Sequence, residues 1–100
     1  LYAVPLGKKP VPATIVCVWP GEQAAAIVVG AHFDKVKAGE GKIDNGTGSV
    51  LLPYLMEALH REKRRHTFIY AAFAEEEVGL LGSQALVKKG IPGREGKALV

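Results

Sequence analysis

The residues of this chain that could do chemistry fall in three places: His32 with Asp34 one residue on, Asp44, and the run Glu75-Glu76-Glu77. Imidazole and carboxylate groups gathered in one place are donors for a divalent cation, and a carboxylate left over can move protons. Hydrolysis by two metal ions needs a carboxylate that can bridge cations roughly 3.5 to 4 Å apart, terminal ligands, and a base for the attacking water. Asp44 could bridge, His32 could ligate, and the adjacent glutamates could divide the remaining work. Alone, His32-x-Asp34 also fits a satisfied strand-end histidine, and acidic triplets are usually solvated turns. Their placement argues for more.

Ala26 to Ala31 is a short apolar run rich in β-branched residues, the signature of a strand buried on both faces. His32 and Asp34 leave its C-terminal end, where open α/β sheets place their ligands. Two residues apart on an extended chain, they point the same way. The carboxylate can then accept a hydrogen bond from one ring nitrogen while the other stays free for a metal. Thr67 to Phe73 reads as a second such strand, ending in the glutamates. Neighbouring residues leaving a strand end point in different directions, so one carboxylate can reach a metal while the other faces its water.

Around these, Leu1 to Pro12 holds three prolines and reads as an irregular lead-in with room for one edge strand. Ala13 to Val18 predicts a strand, and Trp19-Pro20-Gly21-Glu22 a turn that pairs it antiparallel with the strand at Ala26. Lys35 to Asn45 is a polar, glycine-bearing loop. Thr47 to about Arg64 has helical apolar spacing, with Pro53 awkward beyond the first turn. Leu80 to Lys89 predicts a helix with Gly90 as its C-cap and Pro92 stopping it. Ala98 to Val100 reads as the opening of another strand. The order predicts an α/β fold, a mixed sheet flanked by helices.

One hundred residues, 48% hydrophobic and 23% charged, suit a single domain over 1–100 with one modest core. No apolar run approaches the roughly 20 residues of a membrane span, and the stretch from Leu1 is not expected to act as a signal sequence, since it lacks the basic, apolar and small-residue pattern. The net charge of +3 lies largely in basic clusters without interleaved aromatics, which argues against nucleic acid. The cluster Arg61 to Arg65 is read as cations complementing a helix end. Cys17, the sole cysteine, excludes an intrachain disulfide and reads as a small core residue. His60 and His66 are read as surface histidines.

Gly-Ala-His-Phe-Asp at 30–34, Asp-Asn-Gly-Thr-Gly at 44–48 and Glu-Glu-Val-Gly-Leu-Leu-Gly-Ser at 76–83 together resemble the co-catalytic zinc aminopeptidases. That family includes bacterial leucyl aminopeptidase and, more remotely, glutamate carboxypeptidase, the transferrin receptor ectodomain and glutaminyl cyclase. The resemblance runs from about Ala13 to Val100 and implies the phosphorylase/hydrolase-like fold, two zinc ions and a peptide substrate. It implies that His32 binds one zinc and Asp34 orients it, that Asp44 bridges both metals, often through a cis peptide to Asn45, that Glu76 is the general base, and that Glu77 binds the second zinc. Glu75 is then an extra acid without a catalytic role.

The resemblance also implies one further ligand per zinc beyond Val100, an Asp and a His, so the chain is expected to be the N-terminal part of a domain truncated at its C-terminus. An uncovered sheet edge would invite homo-oligomers. A single-zinc glutaminyl cyclase and a non-catalytic interaction module are the rival readings. Secretion or a periplasmic location is expected from the resemblance alone.

Overall fold

The computed structural model describes residues 1–91 and Arg94. In chain order it holds β1 (Tyr2–Pro5), β2 (Ala13–Trp19), β3 (Gln23–His32), α1 (Gly46–Leu59), β4 (His66–Phe73) and α2 (Leu81–Lys89). The sheet order is β1-β2-β4-β3, with β1/β2 and β2/β4 antiparallel and β3/β4 parallel. This is the mixed sheet with flanking helices that the pattern predicts. The lead-in supplies an edge strand, β1. The strand expected at Ala98 and the stop expected at Pro92 lie outside the described residues.

The expected β2–β3 hairpin does not form, because β4 lies between the two strands. The β3–α1–β4 crossover sets β4 parallel beside β3, and β2 then pairs with the far edge of β4. The short connection after Trp19 must cross the start of β4, and hydrogen bonds fasten it there. Glu22 N–H donates to the Arg64 carbonyl at 3.0 Å and Gln23 N–H to the Arg65 carbonyl at 2.8 Å. The buried Thr67 hydroxyl accepts from Gly21 N–H at 3.1 Å and donates to the Gln23 carbonyl at 2.8 Å. Only glycine fits at position 21, since a Cβ there would overlap the His66 carbonyl.

Alternation along the strands sorts their side chains between two faces. Val16, Ile69 and Ala71, all fully buried, join Val4, Ala26 and Ile91 on one face, with Leu86 of α2 packed against them. Ile15, Cys17, Tyr70 and Ala72 face the other way, towards Leu52, Pro53 and Met56 of α1. Gly82 lets α2 start hard against the end of β4, because a Cβ there would collide with the Ala74 carbonyl. As expected, α2 ends at Gly90 (φ 75°), whose N–H donates to the Leu86 carbonyl.

Helix α1 ends at Leu59, short of the expected Arg64, and has no basic residue in its last turn. The chain must turn back in time for β4 to begin at His66. Arg64 nevertheless serves the helix end from outside: its Nη1 donates to the carbonyls of Leu59, His60 and Glu62 at 3.1, 3.2 and 3.2 Å. Pro53 lies within α1. His60 is exposed, with its ring 5.9 Å from that of Trp19, whereas His66 is half-buried as the first residue of β4. Cys17 is only partly buried and accepts a hydrogen bond from the Trp19 indole. Among the described residues no helix is long and apolar enough to cross a membrane.

Candidate metal centre

Parallel pairing of β3 with β4 in the register His32 to Phe73 brings the two strand ends side by side. The groups that follow them therefore meet. Asp34 is what holds them: its Oδ1 accepts the Glu76 N–H at 2.9 Å and its Oδ2 the Glu77 N–H at 3.0 Å. The same carboxylate lies 3.3 Å from Nδ1 of His32. One side chain thus joins three residues at the ends of two strands.

With Nδ1 turned to Asp34, the other ring nitrogen of His32 faces the acids. Nε2 lies 3.1 Å from Asp44 Oδ1 and 3.8 Å from Glu76 Oε2. Ligand atoms of His32, Glu76 and Glu77 lie within 4.8 Å of one another. The structure thus brings together the five residues to which the resemblance gives a role, His32, Asp34, Asp44, Glu76 and Glu77. The ring of His32 is 13% exposed, while the Asp44 side chain is 76% exposed. Glu75 stands apart in conformation, with φ 55° immediately before Glu76.

Two further residues position this centre without announcing themselves as chemistry. Asn45 caps α1 by accepting the Gly48 N–H at 3.0 Å, and its Nδ2 donates to the His32 carbonyl at 3.1 Å. The Ser49 hydroxyl donates to that same carbonyl at 3.1 Å. The helix start is so fastened to the end of β3, with Asp44 immediately before it. The peptide between Asp44 and Asn45 is cis. An asparagine ahead of a helix is a readable capping signal, but its second bond joins residues far apart in sequence and leaves no local trace. For Ser49 there was no signal.

The electrostatics follow from this crowding. Burial would raise the Asp34 carboxyl, but the hydrogen bonds it accepts, from the backbone of Glu76 and Glu77 above all, hold it below the usual carboxylate range. Burial works against a charged His32, and the Glu76 charge with the hydrogen bonds and charge of Asp34 more than offset it, so its pKa is raised. Glu77 is raised by desolvation, then by the like charges of Asp44 and Glu76, with His32 opposing. The like charges that help raise Glu77 beside an imidazole give the site a charge that favours a cation.

Comparison with known proteins identifies the family. Residues 14–100 match peptidase family M28. Among curated relatives, probable leucine aminopeptidase 2 of Trichophyton verrucosum is 41% identical over 63 residues, covering 63% of this chain and 13% of the relative. Leucine aminopeptidase 1 of Arthroderma otae is 34% identical over 86 residues, covering 73% of this chain and 23% of the relative. The crystal structure of LapB from Legionella pneumophila superposes with a TM-score of 0.65 at 30% identity, covering 91% of this chain and 27% of that one. This chain spans about a quarter or less of those proteins. With residues 14–100 matched, a stretch that contains both strand ends, the chain belongs to peptidase family M28.

Proposed function

We propose that these residues supply the proton-transferring base and part of the metal-binding set of a zinc-dependent aminopeptidase. The observation that carries this reading is the grip of Asp34 on Glu76, Glu77 and His32, which leaves Nε2 of His32 directed at Asp44 and Glu76. The donor set fits zinc: one imidazole nitrogen with its tautomer fixed by a carboxylate, and acidic oxygens whose mutual repulsion a dication relieves. His32 and Asp44 would hold one ion, Asp44 and Glu77 the other. When bound, zinc polarises the scissile carbonyl and makes water more acidic.

The chain's own residues do the rest. Glu76 takes the proton of the attacking water and returns it to the leaving amine. It is placed for this because its backbone is fixed by Asp34 while its side chain, 37% exposed, is open to substrate. Asp34 keeps His32 in the tautomer whose Nε2 has a free lone pair. The names of the curated relatives favour a peptide with an apolar N-terminal residue as substrate. Two protein ligands per ion fall short of the three usual for catalytic zinc, so residues outside these hundred complete each set.

Replacing Glu76 by Gln in the enzyme that carries this chain tests the base. Hydrolysis of leucine p-nitroanilide should fall about 10³-fold with zinc content unchanged. A variant that keeps most of its activity removes Glu76 from the reaction. The ligand count is tested on the hundred residues alone, which should hold zinc weakly after dialysis. Stoichiometric zinc retained at micromolar affinity would show that the set is already complete.

A further inference from the structure

The backbone that aims the Glu76 carboxylate is held from both sides. After it, Gly79 and Leu80 N–H both donate to the Glu76 carbonyl, at 3.1 and 2.9 Å, and Leu81 N–H donates to the Glu75 carbonyl at 3.0 Å. Asp34 takes the N–H groups of Glu76 and Glu77. Between these bonds and the end of β4 stands Glu75, whose φ of 55° lies in the left-handed region. A residue with a side chain rests there when its neighbours hold it. On the β4 side that hold comes from Ala74, whose N–H donates to the hydroxyl oxygen of Thr14 at 3.2 Å.

Thr14 belongs to β2 and lies 60 positions before Ala74. The backbone ladder between β2 and β4 ends with Ile15 opposite Ala72, and one residue further on Thr14 continues it through its side chain. Its backbone is paired with Val4 of β1, so the hydroxyl is the fixed partner of the bond. Thr14 has no exposed surface, Ala74 is 2% exposed, and the neighbours on this face are Val4 and Val16. Valine would pack as well here, and a hydroxyl buried among apolar groups costs stability unless it is bonded. Gly82 closes the junction, since a Cβ on it would stand 2.7 Å from Thr14 Oγ1 and 2.9 Å from Ala74 N. Nothing from solvent can then replace the hydroxyl. A stranded Ala74 N–H is relieved by moving Ala74, and with it the left-handed turn that precedes Glu76.

We propose that Thr14 is a positioning residue for the general base. Through Ala74 it fixes the turn at Glu75 and so the direction of the Glu76 carboxylate, a role that presupposes Glu76 as the base. Thr14 itself touches no reacting group.

The test uses the enzyme that carries this chain. Thr14→Val keeps the shape and removes the acceptor, whereas Thr14→Ser keeps the acceptor. With leucine p-nitroanilide, Thr14→Val should lower kcat per zinc-loaded molecule about 10-fold with KM and zinc content within about 2-fold, since a misplacement on the order of 1 Å can cost up to about 100-fold. Thr14→Ser should recover kcat to within about 2-fold of the wild type. Added to Glu76→Gln, Thr14→Val should lower kcat by less than about 2-fold more, because residues acting through one group do not add. In the metal-free enzyme, amide hydrogen exchange over residues 74–77 should quicken in Thr14→Val by at least about 10-fold more than exchange in β3. Should Thr14→Val not fold, Thr14→Cys, a weaker acceptor, takes its place and should fall at least about 3-fold below Thr14→Ser at equal zinc content. An unchanged kcat, a fall matched by lost zinc, a full further 10-fold fall on top of Glu76→Gln, or exchange quickened alike in β3 would each overturn the proposal and leave Glu76 as the base. Most of the activity surviving in Glu76→Gln alone would instead remove the base, and the role of Thr14 with it.

Discussion

The two faces of the sheet are built differently. On the α2 face Val16, Ala26, Ile69 and Ala71 have no exposed surface at all. Beneath α1 a largely apolar groove of about 410 Å³ remains open, and Leu52 is the only buried residue of that helix. Its outward residues Val50, Leu51 and Tyr54 are 71%, 52% and 68% exposed. The difference teaches where each property resides. Packing on the α2 face stabilises the sheet, whereas α1 is held at its first turn by hydrogen bonds to the His32 carbonyl, and the candidate centre depends on those bonds more than on packing.

The largest effect should therefore come from the closed face. Ile69→Ala removes a fully buried side chain from the centre of β4, flanked on both sides by paired strands that cannot collapse inward. About 3 to 4 kcal/mol of unfolding free energy should be lost, measured by urea denaturation. A loss below about 1 kcal/mol would mean that the α2 face is no better packed than the other.

Next in size is the clamp. Asp34→Ala strands the N–H groups of Glu76 and Glu77 and frees His32 to turn, so roughly 2 to 3 kcal/mol should go with it. The sharper consequence is chemical: zinc uptake should fall together with stability. A core substitution of equal cost should leave zinc uptake in the folded fraction intact. If Asp34→Ala and Ile69→Ala changed zinc uptake alike per unit of lost stability, the centre would be a product of packing after all.

How much of this could be read beforehand divides along the same line. Apolar runs gave away β2, β3 and β4, since a strand's burial is written in its own residues, and the His32-Asp34 and glutamate segments stood at the ends of two of them. The insertion of β4 between β2 and β3 was hidden. It is decided by Gly21 passing against the His66 carbonyl and by Thr67 bridging to Gln23, contacts between residues more than 40 positions apart. The early end of α1 was hidden for the same reason, because its stop is enforced by where β4 must begin. Asn45 was legible as a cap but not as a tether, and the bond from the Ser49 hydroxyl to the His32 carbonyl was not legible at all.

A pH titration sharpens the comparison without substitutions. The folded pKa of Asp34 is depressed, so its contribution is present above the unfolded value of about 3.9 and is lost as pH falls through the folded one. That of His32 is raised, so its contribution is full below about 6.5 and is lost as pH rises through the folded value. Raised Glu77 has the same sign, but its loss begins near its unfolded value of about 4.3, below the His32 window. Metal-free protein should accordingly be more stable near pH 6 than near pH 8. Denaturation midpoints in His32→Gln should lose most of that slope. The same slope in His32→Gln would assign it to groups away from the centre.

The smallest effect is the most discriminating about the open face. Val50 projects from the outer side of α1 and should contribute little to folding, so Val50→Ala should change stability by less than about 0.5 kcal/mol. Alanine is the better helix former, and a slight gain would be no surprise. Measured across protein concentrations, the result separates two states of the helix. If the loss reaches about 1 kcal/mol and grows with concentration, the apolar outer face of α1 is covered by another copy in solution, and the contrast between the two faces belongs to the monomer only. If it stays near zero at every concentration, α1 is held by Asn45, Ser49 and Leu52 alone, and its outer face is a surface that folding does not use.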